Sequence, residues 1–520
     1  MEGLAGLLQK DRNFLTGTLA GSEASTAGTV VQMTSTLTDP MTDRAFFGHP
    51  RGLGTLFGVE MWERFSYYGM QASLTLYLYY QVVGAHPGLG LPKTTATSLV
   101  GGYGGLVYVS TIAGCWIADR VLGAERTLYY SAILVMIGHI ALAVLPGFLG
   151  VGVGLACVAL GSGGVKGNAS AVMGTLYAEN DERRDAGFSL YYMGINIGAL
   201  IGPLLTGLTR STLGFHYAFG VAAIGMAAGL TQYMIGRRTL GTEASVVPNP
   251  LPRRRWTMVT GAVVGFAAVG VFLVLIGAIT AANLSDVVVL VCGVAAVVYF
   301  AVILSSSKIT VVERSRIVSF IPLFIANAVF WSLYQQQFTV VEIYGDGRMD
   351  RNLFGWHMPT EWVTSFNPVF IILLAPVFAL LWVKLGPRQP STPIKFALGT
   401  VIMGLAFLLF LPWSNGIGPT TPLLAVAVIL LVFTIGELLI SPVGLSLTTK
   451  ISPTVFRSQT VALYFLSIAL GTAMSGSLAG YYSPAREAPY FGILGVVAIT
   501  VGLIFIGLSP MIRRLMAGVR

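Results

Sequence analysis

The sequence predicts an all-α membrane protein, built as two bundles of six transmembrane helices with a two-helix insertion between them. Three observations predict it. Hydrophobic residues make up 54% of the 520 residues and charged residues only 10%, against about 25% charged in an ordinary soluble protein. With a mean hydropathy of +0.75, a 55.2 kDa chain has too few charges to coat a globule in water. Fourteen runs are apolar over a length close to the roughly 20 residues that cross the hydrocarbon core. The basic residues then alternate in side as the chain passes from run to run.

Residues 1–45 are polar and rich in Thr, Ser and Gly. They lack the basic start and apolar stretch of a signal peptide, so a disordered cytoplasmic tail is expected. Six runs follow, near 53–82, 97–118, 127–146, 148–174, 187–209 and 215–236. Arg253, Arg254 and Arg255 lead into two further runs, 256–279 and 284–305, with little polar content and no polar stripe. These are expected to form a peripheral hairpin facing lipid. Six more lie near 316–337, 363–384, 394–412, 421–448, 456–482 and 489–511. The expected organisation is a tail over 1–45, a first bundle over 46–240, a linker and hairpin over 241–312, and a second bundle over 313–520. Two six-helix halves are the plan of the major facilitator fold, whose site lies near the midplane between them.

With both termini cytoplasmic, 24 of the 31 basic residues fall in cytoplasmic segments. Five fall in outer loops: Lys93, Arg210, Arg348, Arg351 and Arg486. That bias fits the positive-inside rule, and it accounts for the net charge of +9 without a nucleic-acid partner. The two remaining bases, Arg64 and Lys166, lie inside membrane runs, as do Glu60, Glu63 and Glu437. A charge at the bilayer centre costs about 2.5–3.5 kcal/mol, so such residues face a cavity or pair with one another. The three cysteines are odd in number and widely spaced, and no metal-spaced histidine cluster or nucleophile motif occurs. A disulfide framework, a metal site and an enzyme are therefore not expected.

Helical spacing places Glu60, Glu63, Arg64, Tyr67, Tyr68 and Gln71 along one stripe of the first helix. Two carboxylates and one arginine in a turn form a frustrated cluster, from which a small shift moves a proton on or off. The basic pair, Arg64 and Lys166, belongs to the first half and the lone acid, Glu437, to the second. A zwitterion can bridge them, its carboxylate toward the bases and tyrosine hydroxyls, its amine toward Glu437. Asn196 and Asn367 can hydrogen-bond groups in between, and Ser441 lies one turn from Glu437. Asn327, Trp331, Tyr334 and Phe338 share one face of the seventh helix of the two halves.

The Glu60-Met-Trp-Glu63-Arg64-Phe-Ser-Tyr67-Tyr68-Gly69 run resembles the helix 1 motif of the proton-dependent oligopeptide transporter family, of bacterial type. So do the glycine-rich run ending at Lys166, the Ile195-Asn196-Ile197-Gly198 segment, the Asn367-Pro368-Val369-Phe370-Ile371 segment and Glu437. Together they span roughly residues 45–515. Tyr108 resembles a pocket tyrosine, and Asp119 and Arg120 resemble a cytoplasmic loop motif that forms a breakable gate. The resemblance implies a monomeric inner-membrane symporter that imports di- and tripeptides by alternating access. It would bind them through Arg64, Tyr67, Tyr68, Tyr108, Lys166, Asn196, Trp331, Asn367, Glu437 and Ser441. Glu60, Glu63, Arg64 and Lys166 would couple transport to protons, with no cofactor beyond the proton gradient. Four departures stand out: Gly167 for a proline, Tyr464 for a tryptophan, and Gln71 and Gln335 where gate charges are usual. The alternative within this fold is a carrier of another small anion or drug-like solute.

Overall fold

In the computed structural model, residues 43–178, 181–414 and 416–519 are described. The expected N-terminal tail lies almost wholly outside them. The helices in chain order are α1 (Arg51–Tyr79), α2 (Lys93–Ile117), α3 (Ala124–Val144), α4 (Gly147–Thr175), α5 (Arg184–Leu213), α6 (Phe215–Gly236), α7 (Arg253–Leu275) and α8 (Leu284–Ser305). They continue as α9 (Val311–Tyr334), α10 (Val340–Arg348), α11 (Phe366–Leu385), α12 (Thr392–Leu408), α13 (Leu423–Ile451), α14 (Arg457–Ala479) and α15 (Glu487–Leu515). Fourteen of them match the fourteen apolar runs.

Thirteen helical spans among the described residues are long and apolar enough to cross a membrane. The exception is α1, whose 29 residues are ample in length, about 43 Å at 1.5 Å per residue. Its charges spoil its hydropathy, yet nearly every position from Leu53 to Leu78 is buried or half-buried against protein. It is sheltered by α5 and α6 rather than by lipid.

That shelter depends on glycine. A Cβ at Gly202 of α5 would run into the backbone of Phe65 and Gly69 on α1. On this geometry Gly202→Val overpacks the α1–α5 contact at a cost of about 1–3 kcal/mol. Thermal unfolding in detergent should therefore fall by several degrees relative to the parent. Gly220→Val on α6, with nothing within 4 Å of its Cβ position, should not move it. Equal melting temperatures for the two variants would count against the packing.

The insertion departs from expectation in one respect. Among the described residues none of α7 is buried, as a lipid-facing helix requires. But α8 buries Ser285, Val288, Cys292, Ala296 and Ile303 and lies against both α2 and α14. Ser98 and Ser285 hydroxyls meet at 3.1 Å, and Ser477 donates to Asp286 at 2.5 Å. A short polar seam at its N-terminal end seats α8 at the junction of the halves.

The segment 338–361, expected as an outer loop, contains the nine-residue α10, buried along much of its length, and is followed by a 3₁₀ turn, Thr360–Ser365. Its charges hid it from a hydropathy reading. In the first half the apolar core falls into two clusters. One includes Leu53, Leu56, Val59, Val165 and Ala169; the other includes Tyr67, Met70, Leu74 and Val107. Residues 60–64 fall between them in sequence, so a charged layer separates the two cores.

Candidate functional site

The charged layer is built on α1 and α4. The Arg64 guanidinium donates to Glu60 Oε1 through Nε at 2.9 Å and Nη2 at 2.7 Å. The same Nε lies 3.2 Å from Glu63 Oε2. The second Glu63 oxygen accepts from Ser162 Oγ at 2.7 Å. Helical spacing sets the first pair, since residues four apart are neighbours on one face. The ammonium of Lys166 sits over the rings of Tyr67 (4.7 Å) and Tyr108 (4.4 Å). A cation over an aromatic face is attracted by the ring quadrupole, so the two tyrosines hold the lysine, which forms no direct ion pair among the described residues although Glu63 is nearby.

Beside this layer a cavity of about 180 Å³ opens between the halves. It is lined by Tyr67, Tyr68, Tyr108 and Asn196 from the first half and by Trp331, Asn367, Glu437 and Ser441 from the second. Eight of the ten residues proposed to meet substrate thus share one chamber. Arg64 and Lys166 do not line it in this conformation; both stand behind the tyrosines. The lining also includes Tyr192, Tyr334, Gln337, Phe338 and Thr364. Tyr334 and Phe338 were legible as face partners of Trp331. Tyr192 precedes the Ile195-Asn196-Ile197-Gly198 segment in an aromatic run, whereas Gln337 and Thr364 carry no sequence signal that separates them from packing residues.

Glu437 is fixed from within its own half. Tyr334 donates its hydroxyl to Oε2 at 2.8 Å and Asn367 donates Nδ2 to the same oxygen at 2.9 Å. Asn367 is held in turn by Thr434 at 3.0 Å. Neither of those bonds uses Oε1, so the carboxylate keeps acceptor capacity for a cation in the chamber. Helix α13 runs on through Pro442 without a break. Tyr68 lies near enough to both Arg64 and Glu437 to feel each charge. Asn196 donates one N–H of its amide to Tyr192 O at 2.9 Å, which leaves its carbonyl oxygen free to accept and its second N–H free to donate.

At one end of the bundle the halves are sealed by polar contacts. Arg210 of α5 grips Glu361 through two bonds, 2.6 and 2.7 Å. Tyr79, the last residue of α1, and Tyr80 just after it donate to the two oxygens of Asp346 on α10 at 2.6 and 2.8 Å. Thr75 donates to Phe338 O, and Ser365 to Leu200 O. Arg210, expected in an outer loop, is buried, as are Glu342 and Glu361, while Asp346 is half-buried. The glutamines at the expected gate do not meet. Gln335 donates to Thr472 at 3.3 Å, and Gln71 Oε1 has no partner among the described residues. The latch between halves is ionic after all, but on α5 and the turn before α11.

Asp119 and Arg120 lie on a short π-helical turn, Ala118–Leu122. Their backbone carbonyls accept from Asn249 and Leu251 at 3.0 and 2.9 Å, and the Arg120 side chain reaches Asn249 O at 3.5 Å. In this conformation these contacts tie the corner to the linker between halves.

A fourteen-helix major facilitator fold around a chamber lined by both halves defines a secondary transporter. The model of the POT family matches residues 125–491. Similar proteins include the uncharacterized transporter YclF of Bacillus subtilis (42% identical, covering 92% of this chain and 97% of that one). A di-/tripeptide transporter of Lactococcus lactis subsp. cremoris is 40% identical, over 92% of this chain and 99% of its own. Among solved structures, the peptide transporter POT in complex with sulfate superposes with a TM-score of 0.87 at 43% identity, covering 92% of this chain and 98% of that one. A POT family transporter in complex with 5-aminolevulinic acid gives 0.84 at 39%, covering 91% and 99%. The chain belongs to the POT family.

Proposed function

We propose that this protein imports di- and tripeptides together with protons, by alternating access. The observation that carries the reading is the polarity of the chamber. One wall presents a pre-oriented carboxylate, Glu437. The other presents tyrosines backed by the Arg64 and Lys166 cations. A short peptide has an amine for the first and a carboxylate for the second, joined by peptide groups for Asn196 and Asn367. Charge-assisted bonds at both ends are the strong kind, and a ligand that contacts both halves favours the state in which they approach. The names borne by the Lactococcus lactis relatives support the same substrate class.

Proton coupling follows from the α1 cluster. Arg64 is shared between two carboxylates, and protonating Glu60 or Glu63 releases its guanidinium toward the substrate carboxylate. No cofactor is required beyond the proton gradient. The protein acts as a monomer in the inner (plasma) membrane, with both termini cytoplasmic and the sealed end outward, the arrangement that keeps most basic residues inside.

The test is uptake of labelled dialanine into proteoliposomes under an inward acid gradient. The expected result is accumulation above the external concentration, abolished by a protonophore. A purified, correctly folded protein that never concentrates dialanine would refute the reading. Competition by nitrate, single amino acids and 5-aminolevulinic acid, which also carries an amine and a carboxylate at its ends, separates peptide transport from carriage of other small solutes.

A further inference from the structure

We propose that Glu342 is a second proton-binding site, distinct from the α1 carboxylates, and that it links closure of the sealed end to the pH on that side. Glu342 occupies the first turn of α10 and is 1% exposed. Among the described residues, neither of its carboxyl oxygens has a hydrogen-bond partner. The groups facing it are Glu361 from the 3₁₀ turn, Asp346 from its own helix, Arg210 from α5 and Tyr79 from α1. The other elements packed on α10, Gln335–Phe338 and Met349–Asp350, offer Asp350, which is exposed.

The donors nearby are committed. Two Arg210 nitrogens are taken by the two oxygens of Glu361. Tyr79 and Tyr80 serve Asp346, which Arg351 and Thr360 also reach. An ionised Glu342 would be a buried, unpaired charge next to two other carboxylates, the arrangement that structures avoid. The neutral acid fits. A buried polar group with no partner does nothing for packing that an apolar residue would not do better, which points to a use outside the closed state.

That use follows from position. Helix α10 belongs to the second half and packs against α1 of the first. When the halves part at this end, water reaches Glu342 and the acid ionises; when they close, it must recover a proton. Acid on that side therefore favours closure. Because the proton is bound and released on the same side, the site tunes the gate and carries nothing across. The proposal concerns the gate alone and holds whichever solute fills the chamber.

The experiment places spin labels at Val83 and Phe354, exposed positions on the two halves at this end, in a variant lacking Cys115, Cys157 and Cys292. Their distance distribution is measured from pH 8 to pH 5 in detergent by pulsed electron resonance. The closed fraction should rise as pH falls, the closed-to-open ratio changing by up to about tenfold per pH unit for one linked proton. Glu342→Gln and Glu342→Met should both stay closed across the range. A closed fraction in the parent that ignores pH, or one that responds equally in parent and variants, overturns the proposal. If neither variant folds, the parent titration still decides, because a flat curve is sufficient to reject it.

Discussion

Glu437→Gln should weaken dialanine binding at least about thirtyfold, the equivalent of about 2 kcal/mol, because one partner of a desolvated charge pair is removed. Tyr334 and Asn367 would still hold the side chain in place, so the loss reports charge rather than geometry. Binding measured calorimetrically should separate the two. N-acetyl-dialanine, which has no amine to pair, should bind parent and variant alike. If dialanine binds the variant as tightly as the parent, Glu437 does not receive the amine and the polarity of the chamber has been read wrongly.

Glu63→Gln should abolish acid-driven accumulation while sparing counterflow exchange. A neutral amide cannot take up a proton, but it preserves shape, and Ser162 still has an oxygen to approach. One charge moved through 100 mV is worth about 2.3 kcal/mol, close to a fiftyfold gradient. That is the accumulation at stake if Glu63 is the coupling acid. Full uphill uptake by the variant would move the coupling role to Glu60 or elsewhere. Measuring exchange and uphill uptake on the same vesicles distinguishes lost coupling from lost protein.

The fold was legible because membrane insertion writes itself into composition. Every span needs a long apolar run, and fourteen such runs can be counted without knowing how they pack. The same logic exposed Arg64, Lys166, Glu60, Glu63 and Glu437, since a charge inside an apolar run is conspicuous. It failed where polarity is ordinary. Glu342, Glu361 and Arg210 sit near run ends, where charges are expected, and nothing in the chain marks them as buried. The polar seam of α8 was missed for the same reason: Ser285 and Asp286 look like a helix start in solvent.

The amino-acid order alone determined that this chain crosses a membrane as two six-helix halves with a pair of helices between, and which few side chains are too costly to bury without a purpose. Packing decided the rest. Only the approach of α5 to the 3₁₀ turn before α11, and of α4 to α1 and α2, shows that Arg210 joins Glu361 and that Lys166 rests on two tyrosine rings; Gln335 meanwhile turns to Thr472 rather than to Gln71. The reason is physical: hydropathy is a property of one segment and its solvent, whereas a partner for a charge is supplied by another segment, at a distance that no single run encodes.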